Sequence, residues 1–139
     1  MAPSEAALCD LVPDGVFGIE YESDGRSTYR FFALEADRGT MPVKRSSPDQ
    51  SSYLGKLATY HEIIAQRVQK WHWGIPNLLV LTVTTSDARI AEISKYLEGQ
   101  GGVAFVFKAI HRRELSAPMR RLLREPWQRS GLTPLYIDR

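Results

Sequence analysis

The run from Leu78 to Thr84, LLVLTVT, places the strongest constraint on how this chain can fold. It is almost continuously apolar and rich in β-branched residues, and it does not alternate between apolar and polar positions. A strand of this kind is covered on both faces, as the central strands of parallel sheets are. The segment Ala88 to Glu98 then has the pattern of a helix that stops at Gly99. The sequence therefore predicts an α/β fold.

The other predicted elements extend this α/β pattern. The turn residues Asp24-Gly25 join two short strands into a β-hairpin. A helix is expected from about Pro48 to Trp71, because a serine and a proline stand at its start and apolar residues recur at helical spacing. The other predicted strands are Val16 to Tyr21, Thr28 to Leu34 and Val103 to Ala109. The order ββαβαβ indicates a mixed sheet with flanking helices, in which a hairpin leads into parallel strands.

Length and composition limit the class of protein. The chain has 139 residues, which suits a single domain with its own core. No apolar run reaches the roughly 20 residues that cross a bilayer. The start of the chain lacks the regions of a signal peptide, and the one cysteine, Cys9, excludes an internal disulfide. We therefore expect a single cytoplasmic domain, residues 1–139, that makes no contact with a membrane.

Charge is distributed unevenly, although the net charge is only +2. Acidic residues outnumber basic ones by eight to three in residues 1–40, and the ratio is reversed in residues 108–139. A basic surface near the end of the chain could face an anionic partner such as DNA. The alternative is that the arginines only cover solvated helix faces. The arginines concerned are Arg112, Arg113, Arg120, Arg121 and Arg124.

Two carboxylates stand one residue apart at the end of the second predicted strand. Because alternate side chains of a strand share a face, Glu35 and Asp37 are expected to point the same way. Pairing of the hairpin strands would bring Asp14, at the start of the first strand, close to both. Three carboxylates at one sheet end could hold Mg²⁺, which activates water and neutralises phosphate charge. The alternative is that Asp14 caps a turn and the other two are solvated.

The long predicted helix carries Lys56 and Tyr60 four residues apart, with Tyr53 on the same stripe. The lysine could hold a phosphate or an attacking hydroxide. The tyrosine could donate a hydrogen bond or act as a nucleophile. The alternative is that both side chains form the border of an amphipathic helix, above the core.

The three histidines, His61, His72 and His111, have no metal-ligand spacing with one another or with Cys9. His72 lies within Trp71-His72-Trp73, and this segment is expected to be a helix end that packs on the core. Neither a glycine-rich phosphate loop nor a zinc motif is present. The histidines therefore do not predict a site.

In this order, the segments resemble the plasmid replication-relaxation protein family, whose members carry a domain similar to the PD-(D/E)xK nuclease fold. The matching segments are Pro13-Asp14-Gly15, residues 31–40 (FFALEADRGT), Lys56-Leu57-x-x-Tyr60 and residues 79–86 (LVLTVTTS). The resemblance extends from about Leu11 to Trp127. It implies a three-layer, restriction-endonuclease-like core. The family's N-terminal winged helix has no counterpart here.

The resemblance also implies roles for individual residues. Asp14 and Glu35 correspond to the metal-binding acidic pair, with Asp37 as a possible third ligand of Mg²⁺ or Mn²⁺. Asp37 occupies the position of the usual lysine, so Lys56 would supply that charge, with Lys44 as the weaker candidate. Tyr60 would line the site, and the five arginines would follow the DNA backbone.

The resemblance implies a metal-dependent DNA endonuclease-like domain in the replication or mobilisation of plasmids or other mobile elements. A homodimer or a partner protein could supply DNA specificity. The alternative is a catalytically inactive domain of the same fold that binds DNA or protein.

Overall fold

The computed structural model describes residues 11–38, 53–98, 104–110 and 118–139. It is an α/β fold, as predicted, built on a six-stranded mixed sheet. The strands are β1 (Gly15–Ser23), β2 (Arg26–Ala36), β3 (Leu79–Thr84), β4 (Phe105–Ala109), β5 (Trp127–Arg129) and β6 (Leu132–Leu135). The helices are α1 (Tyr53–Ala65), α2 (Val68–Trp71), α3 (Asp87–Leu97) and α4 (Pro118–Arg124). None of these helices is long and apolar enough to cross a membrane.

The six strands lie in the sheet in chain order, from β1 at one edge to β6 at the other. The pairs β2–β3 and β3–β4 are parallel, while β1–β2, β4–β5 and β5–β6 are antiparallel. The predicted hairpin that leads into parallel strands is therefore confirmed. Its turn residues Asp24 and Gly25 have φ values of 51° and 74°, and a type I′ hairpin turn needs positive values at both positions.

Two apolar clusters cover the two faces of the sheet. On one face, Ala33 of β2 and Val80 of β3 pack with buried residues of α1, α2 and α3. The opposite face carries a cluster of Phe32, Leu81, Val106, Trp127 and Ile137, against which Leu122 of α4 packs. Because successive residues of a strand point to opposite faces, β2 contributes Phe32 to one cluster and Ala33 to the other.

The predicted long helix is interrupted. Helix α1 ends at Ala65, and Arg67 adopts a left-handed conformation with φ 57° and ψ 32° before α2 begins. The Arg67 amide donates to the carbonyl of Ile64 at 3.1 Å, three residues back, so the regular helical pattern stops there. The predicted start of this helix, residues 48–52, lies outside the described residues.

Two further features differ from the sequence interpretation. The Trp71-His72-Trp73 segment does not pack on the core, because all three side chains are exposed. The β5–β6 hairpin, with Gly131 at φ 69° in its turn, was not predicted as strands. Its sequence signal was the Ser130-Gly131 dipeptide, which is a recognised turn pattern.

Candidate functional site

The hairpin places Asp14 at the end of β2. Its amide donates to the carbonyl of Leu34 at 3.0 Å, and its Oδ2 accepts a hydrogen bond from the amide of Ala36 at 2.8 Å. The Asp14 side chain is therefore fixed beside the backbone between Glu35 and Asp37, while the residue remains exposed. This is the neighbourhood that the hairpin pairing predicts, although Asp14 and Ala36 are 22 residues apart.

Glu35 is a buried carboxylate with two partners from α1. Its Oε1 accepts a hydrogen bond from the hydroxyl of Tyr60 at 2.5 Å, and its Oε2 lies 3.2 Å from Nζ of Lys56. Glu35 is only 2% exposed, whereas the Lys56 side chain is 37% exposed. A carboxylate this deeply buried needs such partners, because an unpaired buried charge is costly. Lys56 thus connects Glu35 with the solvent.

Helix α1 holds these groups in place through its buried side chains. Tyr53, Leu57 and Tyr60 are buried in the helix-covered cluster. The hydroxyl of Tyr53 also makes a short hydrogen bond with that of Thr82 on β3. Since side chains three and four positions apart share a helix face, Tyr53, Lys56 and Tyr60 all reach the same end of the sheet. The predicted stripe on this helix is therefore confirmed.

Asp37 points to the same face as Glu35, as the alternation of strand side chains predicts, but its carboxylate has partners of its own. Arg89 of α3 binds it through both Nε and Nη2, the latter 3.0 Å from Oδ1. The hydroxyl of Thr84 donates to its Oδ2 at 2.8 Å. Both Asp37 and Arg89 are mostly buried, so the pair is a desolvated ion pair.

The predicted set of three carboxylates does not form one cluster. Within the described ranges, no group of three or more His, Cys, Asp or Glu side chains is arranged to hold a metal ion. Asp14 accepts a hydrogen bond from the Ala36 amide, Glu35 binds Lys56 of α1, and Asp37 binds Arg89 of α3. Metal binding by Asp14, Glu35 and Asp37 stays a prediction.

Burial and the neighbouring carboxylates act on the two tyrosines. Burial raises the pKa of Tyr60, and its hydrogen bond and proximity to Glu35 raise it further, with a smaller contribution from the charge of Asp14. Burial is also the main reason that the pKa of Tyr53 is raised. Tyr60 is therefore a neutral hydrogen-bond donor at physiological pH, which argues against the predicted alternative role as a nucleophile.

Of the arginines predicted to contact the DNA backbone, the structure describes three, and these lie in α4. Arg112, Arg113 and the alternative lysine, Lys44, lie outside the described residues. Arg120, Arg121 and Arg124 are in α4, which packs through Leu122 on the face of the sheet opposite to α1. Arg121 binds the carboxylate of Glu125 at 3.0 Å, and Arg124 is exposed. A DNA contact by these residues stays a prediction.

Sequence reasoning missed the residues of α3 and β3 that complete the site. Arg89 is the fourth residue counted from the capping Ser86, whose Oγ accepts a hydrogen bond from the Arg89 amide at 3.2 Å. Thr82 and Thr84 are polar residues at alternate positions of an otherwise apolar strand, so both face the same side. The polar residues at alternate positions of this strand were the sequence signal that could have identified Thr82 and Thr84.

No protein-family model, curated protein or solved structure matches this chain. The resemblance to the plasmid replication-relaxation family therefore stays a prediction, together with the activity and metal ion that it implies. The site itself rests on the contacts of Asp14, Glu35, Lys56 and Tyr60.

Proposed function

We propose that this chain is a metal-dependent DNA endonuclease-like domain with a restriction-endonuclease-like core. The observation that carries the proposal is the contact between Lys56 Nζ and Glu35 Oε2 at 3.2 Å. A nuclease of this class needs a cation beside its acidic pair, and Asp37, directly after β2, occupies the position where the lysine would stand. A lysine supplied by α1 provides the missing charge at the same carboxylate.

The donor set suits a magnesium ion. Asp14 is exposed, and Lys56, with a side chain that is 37% exposed, joins the buried Glu35 carboxylate to the solvent. Mg²⁺ is commonly held by one or two carboxylates and completes its coordination with water and substrate phosphate. When bound, the ion would lower the pKa of a water molecule and neutralise charge on the scissile phosphate.

The protein side chains have distinct roles in this proposal. Lys56 holds the phosphate or the attacking water through an ammonium group that is accessible to solvent. Tyr60 donates a hydrogen bond to Glu35 and fixes the orientation of its carboxylate. The Ala36 amide does the same for Asp14. Asp37 and Arg89 neutralise each other and hold the end of β2 against α3.

The biological context follows from the resemblance alone. The substrate would be DNA of a plasmid or another mobile element, cut during replication or mobilisation. The α4 arginines would contact the DNA backbone from the other face of the sheet, and a second copy or a partner protein would supply specificity. The basic end of the chain is consistent with an anionic substrate of this kind.

Nicking of supercoiled plasmid in Mg²⁺ or Mn²⁺ tests the proposal. Glu35→Gln and Asp14→Asn keep the size of each side chain and remove its charge, so each is expected to abolish nicking. Glu92→Gln, an exposed acidic position on α3, is the matched control and should nick like the unchanged protein. Nicking that survives both substitutions at the site would show that cleavage occurs elsewhere.

A second candidate is a catalytically inactive domain of the same fold that binds DNA or protein. The specific observation in its favour is that Glu35 and Asp37 are both compensated by protein groups, Lys56 and Arg89. Buried acidic groups that are neutralised internally do not require an ion. Calorimetric titration with Mn²⁺ separates the candidates, because only the nuclease predicts binding that Glu35→Gln removes.

A further inference from the structure

Two of the three tryptophans are exposed and stand two positions apart in the sequence. The exposed fraction is 58% for Trp71 and 37% for Trp73, and His72 between them is also exposed. Trp127, in contrast, is buried. Large apolar side chains grouped at the surface commonly mark a site of interaction.

The sequence that contains these tryptophans is basic. The sequence has no acidic residue from Ile63 to Ser86. Within that interval Arg67 and Lys70 are both exposed and flank the aromatic residues. We refer to Arg67, Lys70, Trp71, His72 and Trp73 as the tryptophan surface. Its charge complements an anionic ligand.

The backbone displays this surface in a defined way. The left-handed Arg67 ends α1 and begins the single turn of α2, which buries Val68 and Gln69 and leaves Lys70 and Trp71 outside. Gly74 then takes a positive φ of 74°, and the amide of Ile75 donates to the carbonyl of Gln69 at 3.0 Å. The chain thus returns to the core directly after Trp73, and the aromatic side chains remain outside.

We propose that the tryptophan surface binds single-stranded DNA. Unpaired bases stack on exposed aromatic rings, while lysine and arginine side chains contact the phosphates. In a duplex the bases are already stacked on one another, so the two exposed tryptophans recognise an unpaired strand. The lack of acidic residues favours this polyanion over a neutral apolar partner.

The surface is connected to the carboxylate site by β2. Asn77, four residues after Trp73, accepts a hydrogen bond from the Phe31 amide and donates one to the Tyr29 carbonyl, both at 2.9 Å. Glu35 is four residues beyond Phe31, or about 13 Å away at about 3.3 Å per residue. If the proposed nuclease function holds, its substrate is therefore DNA that carries a single-stranded segment in addition to the phosphate that is cut.

Fluorescence anisotropy with a labelled 20-nucleotide oligo-dT tests this inference. The titration is done in EDTA, so it measures binding without metal-dependent cleavage. Trp71→Ala and Trp73→Ala are each expected to lower affinity about tenfold, which corresponds to about 1.4 kcal/mol. Tyr96→Ala removes an exposed aromatic residue on α3 and should leave affinity unchanged, as should Lys95→Ser, whereas Lys70→Ser should weaken binding.

Several results would overturn the inference. These are unchanged oligo-dT binding by the Trp71→Ala/Trp73→Ala double variant, equal affinity for a duplex of the same length, or binding to anionic lipid vesicles without binding to oligo-dT. A dimer that dissociates on Trp71→Ala, with no oligo-dT binding, would assign the surface to a second copy. Loss of nicking in the carboxylate variants with normal oligo-dT binding would leave the inference intact, so the two proposals fail separately.

Discussion

The ammonium group of Lys56 lies 3.2 Å from the carboxylate of Glu35, although the two residues are 21 positions apart. The contact joins α1 to the end of β2, at the carboxyl ends of the parallel strands β2 and β3. Ligands of open α/β sheets bind at the carboxyl ends of their strands. The Lys56–Glu35 contact is therefore in a suitable position for the proposed chemistry.

Removal of the Tyr60 hydroxyl should destabilise the protein. Tyr60→Phe takes a hydrogen-bond donor from the buried Glu35 carboxylate, so we expect unfolding free energy to fall by about 1 to 3 kcal/mol. Urea denaturation followed by circular dichroism measures the change. Tyr29→Phe is the matched control, because the Tyr29 hydroxyl also binds a glutamate, Glu20, but at an exposed position. An equal fall in unfolding free energy for Tyr60→Phe and Tyr29→Phe would contradict a larger contribution from the buried Tyr60 hydrogen bond.

Neutralisation of Asp37 should lower the free energy of unfolding by more than removal of the Tyr60 hydroxyl does. Asp37→Asn removes the charge of the carboxylate that binds the largely buried guanidinium of Arg89, and loss of one partner of such a pair costs about 3 to 5 kcal/mol. Thermal or urea unfolding checks this value. Asp138→Asn, in the exposed pair with Arg139, should change stability by less than about 1 kcal/mol. A small effect at Asp37 would mean that the Asp37–Arg89 pair is not desolvated in solution.

Stability should fall at alkaline pH because of Tyr60 and Tyr53. Both pKa values are raised above the ordinary value of 10, mainly by burial, so the folded state favours the neutral phenols. Their contribution is complete below pH 10 and is lost as the pH rises above it, where the unfolded chain ionises first. Tyrosinate absorbance at 295 nm should show both groups ionising only on unfolding. Ionisation of all tyrosines near pH 10 in a folded protein would contradict this.

Glu125 should contribute stability that is lost in acid. Its hydrogen bonds with Lys108 and Arg121 lower the pKa of the Glu125 carboxyl below its ordinary value of 4.5. The contribution is present above pH 4.5 and is lost as the pH falls below it, through the folded pKa. Glu125→Gln should therefore flatten the acid limb of the stability curve. An unchanged pH dependence in that variant would exclude the ion pair as a source of stability.

Much of the site could be predicted from local rules. The period of two along a strand places Glu35 and Asp37 on one face, and the Asp24-Gly25 turn sets the register that brings Asp14 to Ala36. The spacing of four residues places Lys56 and Tyr60 on the same face of α1. These contacts follow from patterns within single elements or within one hairpin.

Other features depend on long-range packing, which no local pattern specifies. Asp37 and Arg89 are 52 residues apart, and their contact depends on how α3 lies against the sheet. The exposure of Trp71 depends on the left-handed conformation of Arg67, and an arginine gives no sequence signal for a conformation that usually belongs to glycine. The apolar pattern up to Trp71 therefore predicts one continuous helix, with its last residues packed on the core.

The most direct test of the proposed site is the rate at which Lys56→Met nicks supercoiled plasmid in Mg²⁺. Lys95→Met is the control, because Lys95 is an exposed lysine near the end of α3. We predict that the unchanged protein and Lys95→Met nick at equal rates, and that Lys56→Met is slower by about 100-fold or more. Failure of the unchanged protein to nick DNA, or a Lys56→Met variant as active as the control, would contradict the account.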